Sequence, residues 1–311
     1  MKILFMGTPD IAAVVLKGLI DDKAEIVAVV TQPDRPKGRG KGVAMSPVKE
    51  VALAHDIPVL QPERIRSAEN VAQLRQYPAD LFVVVAFGQI LTQEILDIPR
   101  LGCVNVHASL LPKYRGASPI QWVIADGLDK TGVTIMQMDA GIDTGDMLTS
   151  VEVDITAEDT GETLRDKLAE AGAKLLIDTL PLIESGSIEP IQQDDSQASY
   201  VGMLKKEMGA LDYTRSAVEL ERLIRAFTPW PGTFTKMNGK LMKVKKAQVL
   251  DKTYSDCRVG SVVEVRSDAI VVACREGALM ITEIQPEGKR AMSVHDYLLG
   301  AKVESGVILG E

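Results

Sequence analysis

Cysteine and histidine are scarce, with three of each in 311 residues. Cys103, Cys257 and Cys274 are odd in number, widely spaced and form no Cys-x-x-Cys pair, which argues against a disulfide framework and a zinc-binding cysteine cluster. No apolar stretch reaches the roughly 18 uncharged residues that a membrane-spanning helix requires. The opening MKILFMGTPD runs into strand-like sequence without the layout of a secretory signal, so a cytoplasmic protein with no membrane partner is expected. Glycine fingerprints for phosphate are missing too. GTPDIA is not Gly-x-Gly-x-x-Gly, and no Gly-x-x-x-x-Gly-Lys-Ser/Thr occurs, so the NAD and P-loop readings lose their main support. Internal repeats and low-complexity tracts are absent as well.

What is present is an ordinary globular composition, 46% hydrophobic and 25% charged. At this length two hydrophobic cores are the natural expectation. The net charge of −8 would by itself speak against a nucleic-acid partner. Its distribution says otherwise: residues 1–208 hold 20 basic and 30 acidic residues, while residues 209–311 hold 15 and 13. Two local runs sharpen the contrast. Between Asp34 and Lys49 lie Arg35, Lys37, Arg39, Lys41 and Lys49 with Asp34 the only acid, and Lys236, Lys240, Lys243, Lys245 and Lys246 follow one another with none.

Short apolar runs alternate with amphipathic segments through the first third: KILFMG, Ile11 to Ile20, EIVAVVTQ, Pro47 to His55, IPVLQP. This is the grammar of βαβ units, with Gly7 suggesting a tight turn into the first helix. DLFVVVAFG, GCVNVHA and GVTIMQM are continuous runs, as expected of parallel strands covered on both faces. A helix from Thr160 to Leu180, with Leu164, Leu168, Ala171, Leu175 and Leu176 on one stripe, is expected to close a first domain at residues 1–189. QQDDSQAS lacks periodicity and marks a linker over 190–208. A helix near Ser216 to Phe227 and then short strands separated by turn residues predict a small barrel or sandwich over 209–311. The fold class expected is α/β, a doubly wound, mostly parallel sheet followed by a small β-barrel.

Asn105 and His107 are one residue apart in an apolar strand, so their side chains should share a face of the sheet. A neutral amide donor beside an imidazole suits acyl transfer, and ligands of open α/β sheets sit beyond the carboxyl ends of the strands. A strand-end histidine and asparagine can equally serve a neighbouring loop. His55, ending a helix, and His295, in a polar turn, read as solvated. The loop MDAGIDTGD carries Asp139, Asp143 and Asp146 without the spacing of a calcium loop, and composition does not choose among them.

The run NVHASLLPKYRGASPIQWVIADG, followed by TGVTIMQMDAGIDTGD, resembles the signature of formyltransferases that use 10-formyltetrahydrofolate. That resemblance implies a catalytic set of Asn105, His107 and Asp143. It implies folate binding by Ser109, Leu110, Leu111 and Pro112, and by a pterin-enclosing loop with Phe87, Gly88, Ile90 and Leu91. Neither a metal nor NAD is expected. Three further segments, FMGTPDIAA, TQPDRPKGRGKGVAMSPVK and RAFTPWPGTFT, resemble the branch of the family that formylates methionyl-tRNA. The implied acceptor is initiator methionyl-tRNA, contacted by Arg35, Lys37, Arg39 and Lys41 and by Lys243 and Lys245, which share a face at strand spacing. A monomer is expected. The alternatives are a formyltransferase acting on a sugar nucleotide or other small amine, and a non-catalytic RNA-binding protein.

Overall fold

In the computed structural model, which describes residues 1–37 and 42–310, the first apolar run forms strand β1 (Lys2–Gly7). Gly7 has no positive φ and is not there for a turn. An added Cβ would lie 2.6 Å from Ala12 Cβ and 2.9 Å from the Val85 carbonyl, so the residue lets helix and neighbouring strand close in. Helix α1 (Asp10–Asp21) buries Ile11, Ala12, Val15, Leu16 and Leu19, the stripe expected of a helix laid on a sheet. Helix α2 (Pro47–Ala54) starts with Ser46, whose hydroxyl accepts from Lys49 N, and has proline in its first turn.

Six further strands complete the sheet: β2 (Glu25–Val30), β3 (Val59–Leu60), β4 (Leu81–Val85), β5 (Cys103–His107), β6 (Lys130–Gln137) and β7 (Met147–Asp154). Their order is β7-β6-β5-β4-β1-β2-β3. From β3 to β5 all neighbours are parallel, whereas β6 runs antiparallel to β5 and β7 antiparallel to β6. GVTIMQM is therefore not a parallel strand. Its unbroken apolar run reports burial on both faces, and burial carries no information about direction.

Helix α3 (Gly161–Ser185) begins and extends close to expectation, but its buried stripe is Leu164, Leu168, Ala169, Ala173 and Leu176. Ala171 and Leu175 are only half-buried. Gly172 faces the sheet, where a Cβ would stand 3.0 Å from Val106 and 3.4 Å from Val133, so the helix lies directly over β5 and β6.

The chain divides into two compact units. One comprises residues 1–119, 130–154 and 165–201, the other residues 120–129, 155–164 and 202–310. The stretch read as a linker is split between them: Tyr200–Val201 pairs in parallel with Arg115–Gly116, and Gln193 is buried in the first unit. Most of its polar residues are exposed, as composition implies; Gln193 is the exception, buried in hydrogen bonds described below.

The second unit contains helix α4 (Ala217–Ala226), started by a full capping box between Ser216 and Glu219. These hydrogen bonds from Ser216 hold the Glu219 carboxyl below its usual range. Strands β8 (Thr233–Met237), β9 (Lys240–Leu250), β10 (Val262–Val265), β11 (Ile270–Ala273) and β12 (Ala278–Pro286) form an antiparallel sheet in the order β8-β9-β12-β11-β10. Asn238 and Gly239, at φ 52° and 73°, make the two-residue hairpin turn between β8 and β9. The final segment joins the two edges: Leu309 bridges Met237 of β8, and Ile308 bridges Ser261 just ahead of β10.

Candidate active site

Alternation along β5 puts Cys103, Asn105 and His107 on one face of the sheet. At the strand's start that face is core. Cys103 is buried there, and desolvation pushes its thiol up to about 12, so it is a packing residue rather than a nucleophile. Two and four residues further on, the same face meets the turn between β6 and β7. Asn105 Nδ2 donates to Asp143 Oδ1 at 3.2 Å, and His107 Nδ1 lies 3.6 Å from Asp143 Oδ2. The three residues singled out by the sequence converge on one carboxylate.

His107 is held from its other side as well. Its Nε2 lies 3.0 Å from the carbonyl oxygen of Tyr114, whose φ of 58° belongs to the left-handed region. A carbonyl only accepts, so Nε2 carries a proton and donates. In the neutral ring Nδ1 is then a lone pair, facing a carboxylate that also only accepts. A group bearing a proton satisfies both.

The loop after β5 is braced from within. Ser109 Oγ donates to Lys113 O at 2.7 Å, Thr134 Oγ1 donates to Ser109 O at 2.7 Å, and Leu111 N donates to Thr134 Oγ1 at 3.2 Å. Ser109 is fully buried and Leu111 buried, while Leu110 and Pro112 are half-buried. In the other segment implicated in folate binding, Phe87 and Leu91 sit in the core of the first unit, whereas Gly88 and Ile90 are exposed, Ile90 at 72%. Thr8 Oγ1 and Gln32 Nε2 both donate to Phe87 O at 3.2 Å, fixing that loop's backbone.

Asp143 has a φ of 53°, a conformation that aspartate tolerates better than most side chains. Gly116 N donates to its Oδ2 at 2.8 Å. Asp139, by contrast, is spent on its own turn, accepting from Gly141 N at 3.0 Å and Thr144 Oγ1 at 2.7 Å. Gly145 allows the turn to fold: a Cβ there would stand 1.8 Å from the Gln137 carbonyl. Gly145→Ala is therefore expected to cost about 1–3 kcal/mol of stability, as overpacking does, and to lower kcat because the turn carries Asp143. Thermal denaturation together with turnover checks this; an unchanged Tm with normal turnover would contradict it.

Sequence reasoning missed Tyr114, Gly116, Thr134, Arg115 and Gln193. Tyr114 and Gly116 act through their backbones, for which a sequence carries no signal. Among the described residues no group of three or more His, Cys, Asp or Glu side chains is placed to hold a metal ion.

The basic loop is a short hairpin, Arg35–Lys37 paired antiparallel with Gly42–Ala44. Arg35 is exposed; Arg39 and Lys41 lie outside the described residues. Lys49 is bound at the hairpin's root by Asp34 and by Gln61 Oε1 at 2.7 Å. That Lys49 hydrogen bond, with one from Gln61, keeps the Asp34 carboxyl below its ordinary range. In the second unit the expected shared face of Lys243 and Lys245 is broken by a bulge. The register passes from Val244↔Ile284 to Lys246↔Glu283 and returns at Ala247↔Ile281, which leaves Lys245 unpaired in the ladder and half-buried. Lys243 is exposed, and Lys246 pairs with Glu283 at 3.2 Å. His55 is exposed at a helix end, while His295 sits in the short helix Val294–Leu298 and reaches Ser267 O at 3.0 Å.

A mostly parallel α/β sheet that brings an amide, an imidazole and a carboxylate together at a strand end carries the groups that a group-transfer enzyme uses. Residues 1–180 match the model described as formyl transferase, and residues 203–302 match the formyl transferase C-terminal domain. The chain belongs to the formyl transferase family. Relatives named methionyl-tRNA formyltransferase are 50% identical in Lachnospira eligens and 49% identical in Clostridioides difficile, with the whole of each chain covered. The fold is similar to an N-formyltransferase from Helicobacter canadensis, solved in complex with folinic acid and dTDP-3-aminofucose. The TM-score is 0.67 at 19% identity, over 92% of this chain and 99% of that one.

Proposed function

We propose that this enzyme transfers the formyl group of 10-formyltetrahydrofolate to the α-amino group of initiator methionyl-tRNA. The observation that carries the chemistry is the convergence of Asn105 and His107 on the Asp143 carboxylate, with His107 Nε2 already committed to Tyr114 O. The full-length relatives named for methionyl-tRNA support the choice of acceptor.

The attacking amine must be neutral, and a reference pKa near about 8 leaves a usable free fraction at neutral pH. Its nitrogen bonds to the formyl carbon, giving a tetrahedral intermediate with a negative oxygen and a positive nitrogen. Asn105 has a second amide N–H available for that oxygen. Nδ1 of His107 is the ring atom free to take the ammonium proton and deliver it to N10 of the folate as the carbon–N10 bond breaks. Asp143 holds the imidazole and supports its charged form in transit. Exposed Gly88 and Ile90, on a backbone fixed by Thr8 and Gln32, suit the flat face of a pterin.

Initiator tRNA is bound, in this reading, through the basic segment that carries Arg35, Lys37, Arg39 and Lys41 and through the second unit, where Lys243 is more accessible than Lys245. Arg39→Ala is expected to raise the Michaelis constant for tRNA several-fold and to reduce the slope of its salt dependence by about one counterion. A titration from low to moderate salt decides it, and an unchanged tRNA response would remove the hairpin from the interface. The decisive assay for the function compares methionyl-tRNA with small sugar amines as acceptors from the same donor. Transfer to the amines but not to the tRNA would overturn the proposal. Action in the cytoplasm as a monomer completes it; among the described residues no helix is long and apolar enough to cross a membrane.

A further inference from the structure

Arg115 carries the largest side chain among the fully buried residues, only 1% exposed, and no step above uses it. Its guanidinium donates to three acceptors: Nε to Gln193 Oε1 at 2.9 Å, one terminal nitrogen to Tyr200 OH at 2.8 Å, the other to Asp195 Oδ1 at 2.8 Å. Asp195 is 84% exposed and contributes little as an ion-pair partner. The buried acceptor is Gln193, 7% exposed.

An arginine has no acceptor, so the oxygen of the Gln193 amide must face it, and the orientation of that amide is fixed. Its NH2 group then points away from Arg115 toward two backbone carbonyls, Asp143 O at 2.9 Å and Gly145 O at 2.6 Å. These carbonyls belong to the turn that carries the catalytic carboxylate, at Asp143 itself and two residues on. Because the amide oxygen accepts from a cation, its N–H groups are stronger donors than those of an isolated amide. Gly116, the residue after Arg115, donates to the Asp143 carboxylate itself. The Arg115–Gly116 dipeptide therefore holds Asp143 at both ends, the carboxylate directly and the backbone through Gln193.

We propose that Gln193, oriented by Arg115, is a positioning residue that clamps the Asp143 turn in its left-handed conformation and so sets where the carboxylate meets His107. The inference rests on the reading that Asp143 acts on His107. Its ordinary alternative is that Gln193 merely anchors residues 190–201 to the first unit.

Three substitutions in the full-length chain, combined into five variants, separate these. Gln193→Glu keeps the length and the contact to Arg115 but loses both donors; Gln193→Met keeps the length and is neutral; each is made alone and together with Asp143→Asn. Turnover, the Michaelis constant for 10-formyltetrahydrofolate and Tm are measured for all. An ångström of misplacement at a reacting group costs up to about 10²-fold, so each Gln193 variant is expected to lose about 10–10²-fold in kcat with the donor's Michaelis constant within about threefold. On the Asp143→Asn background the same changes should lose little more, since residues acting as one unit are not additive. Gln193→Met carries the test if the glutamate variant does not fold. Near-normal kcat in a folded Gln193 variant, with Asp143→Asn impaired, would overturn the clamp alone. Losses that multiply in the double variants would assign Gln193 to anchoring only. Full activity in Asp143→Asn would remove the underlying reading of Asp143 and the clamp with it.

Discussion

His107→Ala is expected to lower kcat by about 10²–10⁴-fold, the usual contribution of general acid-base catalysis, while binding of 10-formyltetrahydrofolate stays within a few-fold. The asymmetry follows from how the ring is mounted. Its Nε2 is occupied by Tyr114 O and its Nδ1 faces Asp143, so its polar contacts position the ring, and the loop they reach has other supports. Ser109 and Thr134 brace the loop after β5 independently of the imidazole. Removing the ring deletes the proton carrier and leaves the surrounding backbone in place. Single-turnover kinetics alongside equilibrium binding of the donor would show it. Turnover near the normal value would sink the assignment, and a collapse in donor affinity of the same size as the loss in turnover would move His107 from chemistry to binding.

Asn105→Ala should fall nearly as far, by about 10²–10³-fold in kcat, corresponding to roughly 3–4 kcal/mol for one lost oxyanion donor. Its signature differs from that of the histidine. An amide does not titrate, so the loss should be uniform across the working pH range, whereas the His107 variant should change the shape of the pH–rate profile. Asn105 also donates to Asp143 Oδ1, and losing that bond leaves the carboxylate held by Gly116 N. An Asn105 effect that varied with pH would mean that its main service is to Asp143 rather than to the formyl oxygen.

Much of this site could be read before any coordinates, because period two is a strict rule: with Asn105 and His107 in one strand, their convergence follows. Asp143 could not be reached that way. Three carboxylates in one glycine-rich turn look alike in composition, and what distinguishes Asp143 is a positive φ and the reach of Gly116 N. Gln193 was invisible for a related reason. A glutamine in a run of Gln, Asp and Ser has the composition of a solvated linker, and only the buried cation opposite turns it into a core residue. Strand direction was lost at β6 because hydrophobicity reports covering, not polarity of the chain. On β9 the alternation argument failed at one residue, Lys245, which drops out of the pairing and is half-buried while Lys246 is exposed.

The closing segment of the second unit has a bearing on how the polypeptide is made. Residues 308 and 309 bridge elements that precede them by about 50 and 70 positions, so pairing at both margins of that sheet waits for these two residues to emerge during synthesis. Until then two strand margins are unsatisfied templates for pairing with other chains. A truncation that spared every active-site residue but removed 306–310 would be expected to leave the sheet chemistry of the first unit intact and the product prone to aggregate.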